Sequence, residues 1–319
     1  MYPKIVESNL TDYKAILEDC GLGRLPVQAV IKNIAKLEEF YDSGCITDLY
    51  NYCLTNLTDA ELIIQIIKFS DFHRANSTLE ILLNFLQKKA DGLSDTEYEN
   101  LVNIKSVSAK AISNYKDYST VTVLLSCLNN KHENYKVRLA CADALGRIGD
   151  KYAVKPLIDV LEDEDEKSIY LKESATSALA MLGDIAAIEP LVNILESKQG
   201  FLDKFTFLKE KIVEALGKLN VNNKKVMSAL KHSLMDSSPM VRINAIEAIM
   251  NSGDESAPEL IRPCLQDDND EVKKNALVAL YNLCGRDILD EVIDLPIYSK
   301  NLKEEAQTII DEYEEGEDE

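Results

Sequence analysis

Of the side chains able to do chemistry, histidine is the scarcest: only His73, His132 and His232 occur, in three separate stretches. A metal centre needs three or four ligands converging on one ion, and histidines this dispersed do not supply them. Cysteine is commoner but no better arranged. Cys20, Cys45, Cys53, Cys127, Cys141, Cys264 and Cys284 are odd in number and form no CxxC, so neither a zinc site nor a disulfide framework is expected, and a reducing cytoplasm is. Cys45 and Cys53 stand eight apart on one expected helix face, and Cys127 and Cys141 fall at apolar positions, which reads as packing. The acidic runs Glu162–Glu166 and Asp267–Glu271 are rich in oxygen donors but lack the glycine and spacing of a calcium loop. They read as turns whose acids cap the helix that follows. With no glycine-rich phosphate loop either, the expectation is a chain without catalytic residues, metal or cofactor.

The elements that carry these residues repeat. Val137–Asp150, VRLACADALGRIGD, returns as LKESATSALAMLGD at 171–184, LKEKIVEALGKLN at 208–220, VRINAIEAIMNSGD at 241–254 and VKKNALVALYNLCG at 272–285, with a weaker copy, IKSVSAKAISNYKD, at 104–117. Aligned on Ile104, Val137, Leu171, Leu208, Val241 and Val272, the steps are 33, 34, 37, 33 and 31 residues. A period in this range means stacked supersecondary units, each burying its apolar face on its neighbours. Hydrophobic content of 46% with only 12 glycines and 8 prolines in 319 residues points to an all-α chain. Each copied stretch is read as the second helix of a hairpin. The first helix is the apolar run before it, as in Thr120–Leu128, Val154–Leu161, Ile188–Leu195, Val226–Leu234 and Ala257–Leu265. Ala111, Ala144, Ala178, Ala215, Ala248 and Ala279 form a column where helices approach closely, and Ile112, Leu145, Leu179, Leu216, Ile249 and Leu280 fill the layer beside it.

Residues 1–94 keep helical spacing without the motif. Helices are expected at Asn9–Cys20, Pro26–Phe40, Ile46–Leu57, Ala60–Phe72 and Ser77–Lys89, and a capping box Ser94/Glu97 opens a longer one. This region is read as diverged repeats capping the array, 95–313 as the array with a C-terminal capping helix, and 314–319 as a solvated acidic tail.

A basic residue follows each aligned apolar one: Lys105, Arg138, Lys172, Lys209, Arg242 and Lys273. Six positions earlier stand Glu99, His132, Glu166, Asp203, Asp236 and Asp267, so all rungs but the one at His132 pair an acid with a base. On these residues the chain resembles the HEAT-repeat family, including bacterial variants related to the phycobilisome-lyase type of repeat. The family's acidic turn residue, Val-Arg and AAxALGxIGD are matched almost letter for letter by Val137–Asp150, and the resemblance covers about 95–290. It implies a right-handed α-solenoid of helical hairpins in which the two columns form a polar ladder between units. HEAT-like deoxyhypusine hydroxylases hold iron with several His-Glu pairs; His132-Glu133 is one pair and does not build that site.

The resemblance also places the second helices on the concave side. The residues expected to face a partner are Leu139, Asp143, Arg147, Ser177, Met181, Glu214, Lys218, Ile243, Glu247, Asn251, Val278 and Asn282, with Leu139, Met181, Ile243 and Val278 as apolar anchors. A net charge of −20 and no tryptophan argue against nucleic acid, which requires a basic groove. No run of 18 apolar residues offers a membrane span, and the opening MYPKIVESNLTDYK lacks the basic start and apolar centre of a signal peptide. The expected function is a non-catalytic, cytoplasmic scaffold binding a protein or peptide as a helix or extended segment. The alternative is a bilin lyase-like chaperone of chromophore assembly, which the repeat also serves.

Overall fold

The helical spacing becomes eighteen α-helices, and no strand, among the described residues of the computed structural model, 12–196, 205–219 and 223–317. Asp203, the start of the first expected helix at 9–11 and the end of the acidic tail at 318–319 lie outside them. The chain divides into two compact units, Met1–Pro156 and Leu157–Glu319.

In the first unit the helices are α1 (Tyr13–Asp19), α2 (Val27–Lys36), α3 (Ser43–Asn56), α4 (Ala60–Ser70), α5 (Asn76–Gln87), α6 (Asp95–Tyr115), α7 (Val121–Asn129) and α8 (Tyr135–Ile148), and α9 (Val154–Glu162) begins at its end. They alternate between two layers. The even helices α2, α4, α6 and α8 pack side by side, as do α3, α5 and α7. The two-layer order thus runs through the residues that lack the motif, because what the layers require is an apolar stripe. Ile63, Ile66 and Ile67 supply it on α4, and Leu79, Leu82 and Leu86 on α5; all are buried. Ser94 accepts from the Glu97 amide while Glu97 accepts from the Ser94 amide at 2.9 Å, closing the capping box at the start of α6.

The second unit contains α10 (Ile169–Leu182), α11 (Ile188–Leu195), α12 (Thr206–Leu219), α13 (Lys224–Ser233), α14 (Pro239–Met250), α15 (Ala257–Ile261), α16 (Asp270–Cys284), α17 (Asp287–Asp294) and α18 (Lys300–Glu317). The second helices α10, α12, α14 and α16 form one layer, and α11, α13 and α15 pack beneath as their hairpin partners. α18 continues to Glu317, into the stretch read as a solvated acidic tail.

The alanine column and the aliphatic column beside it are buried in every copy, none above 5% exposed. Gly217 carries the close approach further: a Cβ placed there would stand 2.8 Å from the Ala248 Cβ. Gly149 (φ +88°) and Gly183 (φ +64°) close α8 and α10 in the left-handed region, which ends a helix without a Cβ clash. The acidic turns meet the expectation in part, Asp270 and Glu271 standing in the first turn of α16. Ser168 and Asn269 are the caps of α10 and α16, and the acids hold the turn itself, Glu166 accepting from the Ser168 amide and Asp267 from the Asn269 amide.

The polar ladder corrects the sequence pairing. Three of the six bases reach forward to the acid in the next unit's turn: Lys105 to Glu133 at 2.6 Å, Lys209 to Asp236 at 2.7 Å, and Arg242 to Asp267 at 2.6 Å and Asp268 at 2.9 Å; Lys273 pairs with Asp270 of its own helix at 2.6 Å. With its own turn Arg242 makes only backbone contacts, donating to the Asp236 carbonyl at 2.8 Å and the Ser237 carbonyl at 3.4 Å. The reason is steric. A basic side chain in the first turn of the second helix lies over its own turn's carbonyls, so its charged end meets a carboxylate across the unit boundary. Glu99 lies within α6 rather than in a turn, and Glu133, not His132, supplies the rung there. These pairs are not surface ornaments: Lys105, Lys209 and Arg242 are each less than 10% exposed. Lys172 donates to the carbonyls of Leu161 (3.0 Å) and Asp163 (2.7 Å), and burial pushes its ammonium below its ordinary value.

A candidate protein-binding face on the second helices

In a helix, residues spaced four, three and four apart share one face. On α10 such a set is Tyr170, Ser174, Ser177 and Met181; on α12, Phe207, Lys211, Glu214 and Lys218; on α14, Met240, Asn244, Glu247 and Asn251; on α16, Glu271, Asn275, Val278 and Asn282. Because these helices lie side by side in the second unit, the four sets form four rows across one surface.

The first row is the apolar one. Tyr170, Phe207 and Met240 are 61%, 56% and 50% exposed on α10, α12 and α14, neighbours in one layer, so water meets a strip of large apolar side chains. Lys211 lies over the Phe207 ring, 5.6 Å from its centroid. The sequence reading missed this row, although a signal existed: each member directly precedes the aligned apolar residue, at Leu171, Leu208 and Val241. The following rows are polar. Glu214 accepts from Lys211 at 2.9 Å and Lys218 at 2.6 Å. Burial acts to raise the Glu214 carboxyl, but the two ammonium groups outweigh it and hold it below its usual value. Ser238 donates to Glu210 at 3.2 Å and Asn244 to the Glu210 carbonyl at 3.2 Å, tying α14 to α12.

Of the residues expected to bind, Glu214, Lys218, Glu247 and Asn251 come together around a shallow depression of about 200 Å³, floored where Gly217 lacks a side chain against Ala248. Met181 and Val278 are exposed, at 52% and 43%, and Asn282 is exposed too. Ser177 and Ile243 are half-buried, which makes Ile243 a weaker anchor than its neighbour Met240. In the first unit Leu139 and Asp143 are half-buried and Arg147 is exposed, its carbonyl accepting from Lys116.

The histidines stay apart. Among the described residues no group of three or more His, Cys, Asp or Glu is placed to hold a metal ion. His73 meets Ser43 at 2.8 Å and Glu38 at 3.5 Å, an order of hydroxyl, imidazole and carboxylate that resembles a nucleophilic triad. The Tyr50 hydroxyl takes the same Glu38 oxygen at 2.6 Å and its ring meets the His73 ring edge-on. With the carboxylate committed to the tyrosine, the cluster is a tether between α3 and the chain after α4. Cys45 and Cys53 are both buried, and burial pushes the Cys53 thiol up to about 12. No helix among the described residues is long and apolar enough to cross a membrane.

A sequence profile for HEAT repeats matches residues 100–175, 121–206 and 201–281. No curated protein matches the chain. Among solved structures, Kap121p is similar over 95% of this chain and 38% of its own, at 13% identity and a TM-score of 0.50. The complex of CpcE and CpcF of phycocyanin lyase from Nostoc sp. PCC7120 is similar over 74% of this chain and 87% of that one, at 21% identity and a TM-score of 0.47. Human deoxyhypusine hydroxylase in complex with glycerol matches over 85% and 96%, at 16% identity and a TM-score of 0.34. At 13% identity the likeness to Kap121p is one of fold.

Proposed function

The chain belongs to the HEAT-repeat family, and from that premise we propose that it is a non-catalytic, cytoplasmic scaffold holding a protein segment on the face of α10, α12, α14 and α16. The observation that carries this reading is the exposed strip of Tyr170, Phe207 and Met240. Aromatic and methionine side chains are enriched at interface centres, where their area leaves water on binding. In and next to these rows the same four helices carry Glu173, Glu210, Glu214, Glu247 and Glu271 against Lys211, Lys218 and Lys274, five acids to three bases. Two of those bases are engaged by Glu214 and the third by Glu305 at 2.9 Å. The face is therefore anionic beside its apolar edge, and its occupant is an amphipathic segment with an apolar side and basic residues along the other. Seven free thiols support a reducing compartment.

The test is affinity capture from the source cells by the wild-type chain and by the double variant Phe207→Asp/Met240→Asp. Both side chains are half exposed or more, so helicity by circular dichroism should be unchanged. A stoichiometric partner held by the wild type should be weakened by about 2 kcal/mol or more. Equal capture by a folded double variant would refute this face as the binding surface.

A further inference from the structure

One second helix starts out of register with the rest. α8, α10, α12, α14 and α16 each begin two residues before their aligned apolar residue, whereas α6 begins at Asp95, nine residues before Ile104. The Ser94/Glu97 capping box sets that early start. Seven extra residues lengthen the helix by about 10 Å, and among them Tyr98 lines an open cleft of about 770 Å³ inside the first unit. The end of α5 with the turn after it, one face of α7 and the α7–α8 turn complete the lining. The Cys127 thiol donates to the Leu86 carbonyl at 3.7 Å, holding α7 against the end of α5. A space of this volume falls in the range of small-molecule sites, about 300–1,000 Å³.

The cleft is cationic although the chain is acidic. Lys105 and Glu133 neutralise each other at 2.6 Å, which leaves Lys88 and Lys89 against Asp91. Neither of these lysines has an ion pair among the described residues, although acids outnumber bases 55 to 35 along the chain. Thr122 and Ser126, four apart on one face of α7, line the same space as His132. Their hydroxyls and the His132 ring have no hydrogen-bond partner among the described residues. The Asn130 Oδ1 accepts from the His132 amide at 3.1 Å, which leaves its Nδ2 to donate. Ammonium groups without an acid, beside hydroxyl and amide donors, suit an anion rich in acceptor oxygens, and lysine serves phosphate as a compact point charge. The Asn134 Nδ2 donates to the Tyr98 hydroxyl at 3.4 Å and anchors a ring that is 37% exposed, a surface on which a planar group can stack.

We propose that this cleft binds a small phosphate ester carrying a planar ring, with the phosphoryl group among Lys88, Lys89 and the α7 hydroxyls and the ring against Tyr98. A nucleoside monophosphate has both parts. The site is one of recognition, with no bond made or broken, and it shares no residue with the partner-binding face on α10, α12, α14 and α16. It exists because one helix of the array is two turns too long.

Adenosine 5′-monophosphate is titrated calorimetrically into the full-length protein, with adenosine and inorganic phosphate as its two halves. Saturable one-to-one binding of the monophosphate is expected, about tenfold or more tighter than either half. Lys88→Ala/Lys89→Ala should weaken it by about tenfold or more; both side chains are exposed, so circular dichroism should be unchanged. Lys224→Ala/Lys231→Ala on α13 removes the same charge from exposed positions and should leave the affinity unaltered. Tyr98→Ala should bring the monophosphate down towards inorganic phosphate without changing the binding of inorganic phosphate itself. Absence of saturable binding, equal affinity for the monophosphate and inorganic phosphate, or equal losses in the two lysine pairs would each overturn the proposal.

Discussion

Arg242 shows how much of a residue's role its partners decide. Its place in the basic column marks it as polar and exposed, yet it is 8% exposed and divides its donors among two carboxylates and the carbonyls of Asp236 and Ser237. Exposed ion pairs contribute about 0–1 kcal/mol, whereas removing one partner of a buried pair costs about 3–5 kcal/mol because the other charge is stranded. Arg242→Glu is therefore expected to destabilise by about 3 kcal/mol in urea unfolding, with little relief from added salt. A cost under about 1 kcal/mol that salt abolishes would return the pair to the surface class. The pH dependence belongs to Asp267. Burial acts to raise its carboxyl, but the bonds from Arg242 and the Asn269 amide outweigh it and leave the folded state below the ordinary 3.8. A depressed carboxylate contributes its stability in full at neutral pH and loses it as pH falls from the unfolded value through the folded one. Asp267→Asn should thus be less stable at pH 7 and lose less stability between pH 5 and pH 2 than the wild type; parallel acid unfolding curves would contradict this.

At the scale of elements, the contact between α12 and α14 sets two effects against each other. Alanine is the better helix former by about 1 kcal/mol, so propensity alone makes Gly217→Ala stabilising. The added Cβ, however, would sit 2.8 Å from the Ala248 Cβ and 3.1 Å from its Cα, and backbone cannot swing aside as a long side chain would. Overpacking costs about 1–3 kcal/mol, so Gly217→Ala is expected to lower the unfolding midpoint; a raised midpoint would mean that the helices separate easily. Ser94→Ala tests a helix start instead. It removes the acceptor for the Glu97 amide at the start of α6, and a loss of about 1 kcal/mol is expected. The capping box was legible because its signature is local, four residues long. The α12–α14 contact was only half legible: the alanine column marks a close approach, but which opposing atoms meet depends on how two helices cross.

For the whole molecule, a net charge of −20 makes negligible binding to duplex DNA at physiological salt the expected outcome of a filter or gel-shift assay; saturable binding there would require a segregated basic face. The repeating period, the all-helical class, the hairpin of two helices and the buried columns were all readable in sequence, since each follows from local spacing of apolar and small residues. The order of layers through residues 12–94 was only faintly marked, because helices can keep an apolar stripe while losing every letter of a motif. Tertiary structure alone decided which charges meet, and it joined Lys209 to Asp236 and Arg242 to Asp267 across unit boundaries. It alone left Tyr170, Phe207 and Met240 exposed together on the layer of second helices. Spacing along one chain fixes a face of one helix, but contacts between helices depend on the rise and rotation between units, which no single repeat encodes.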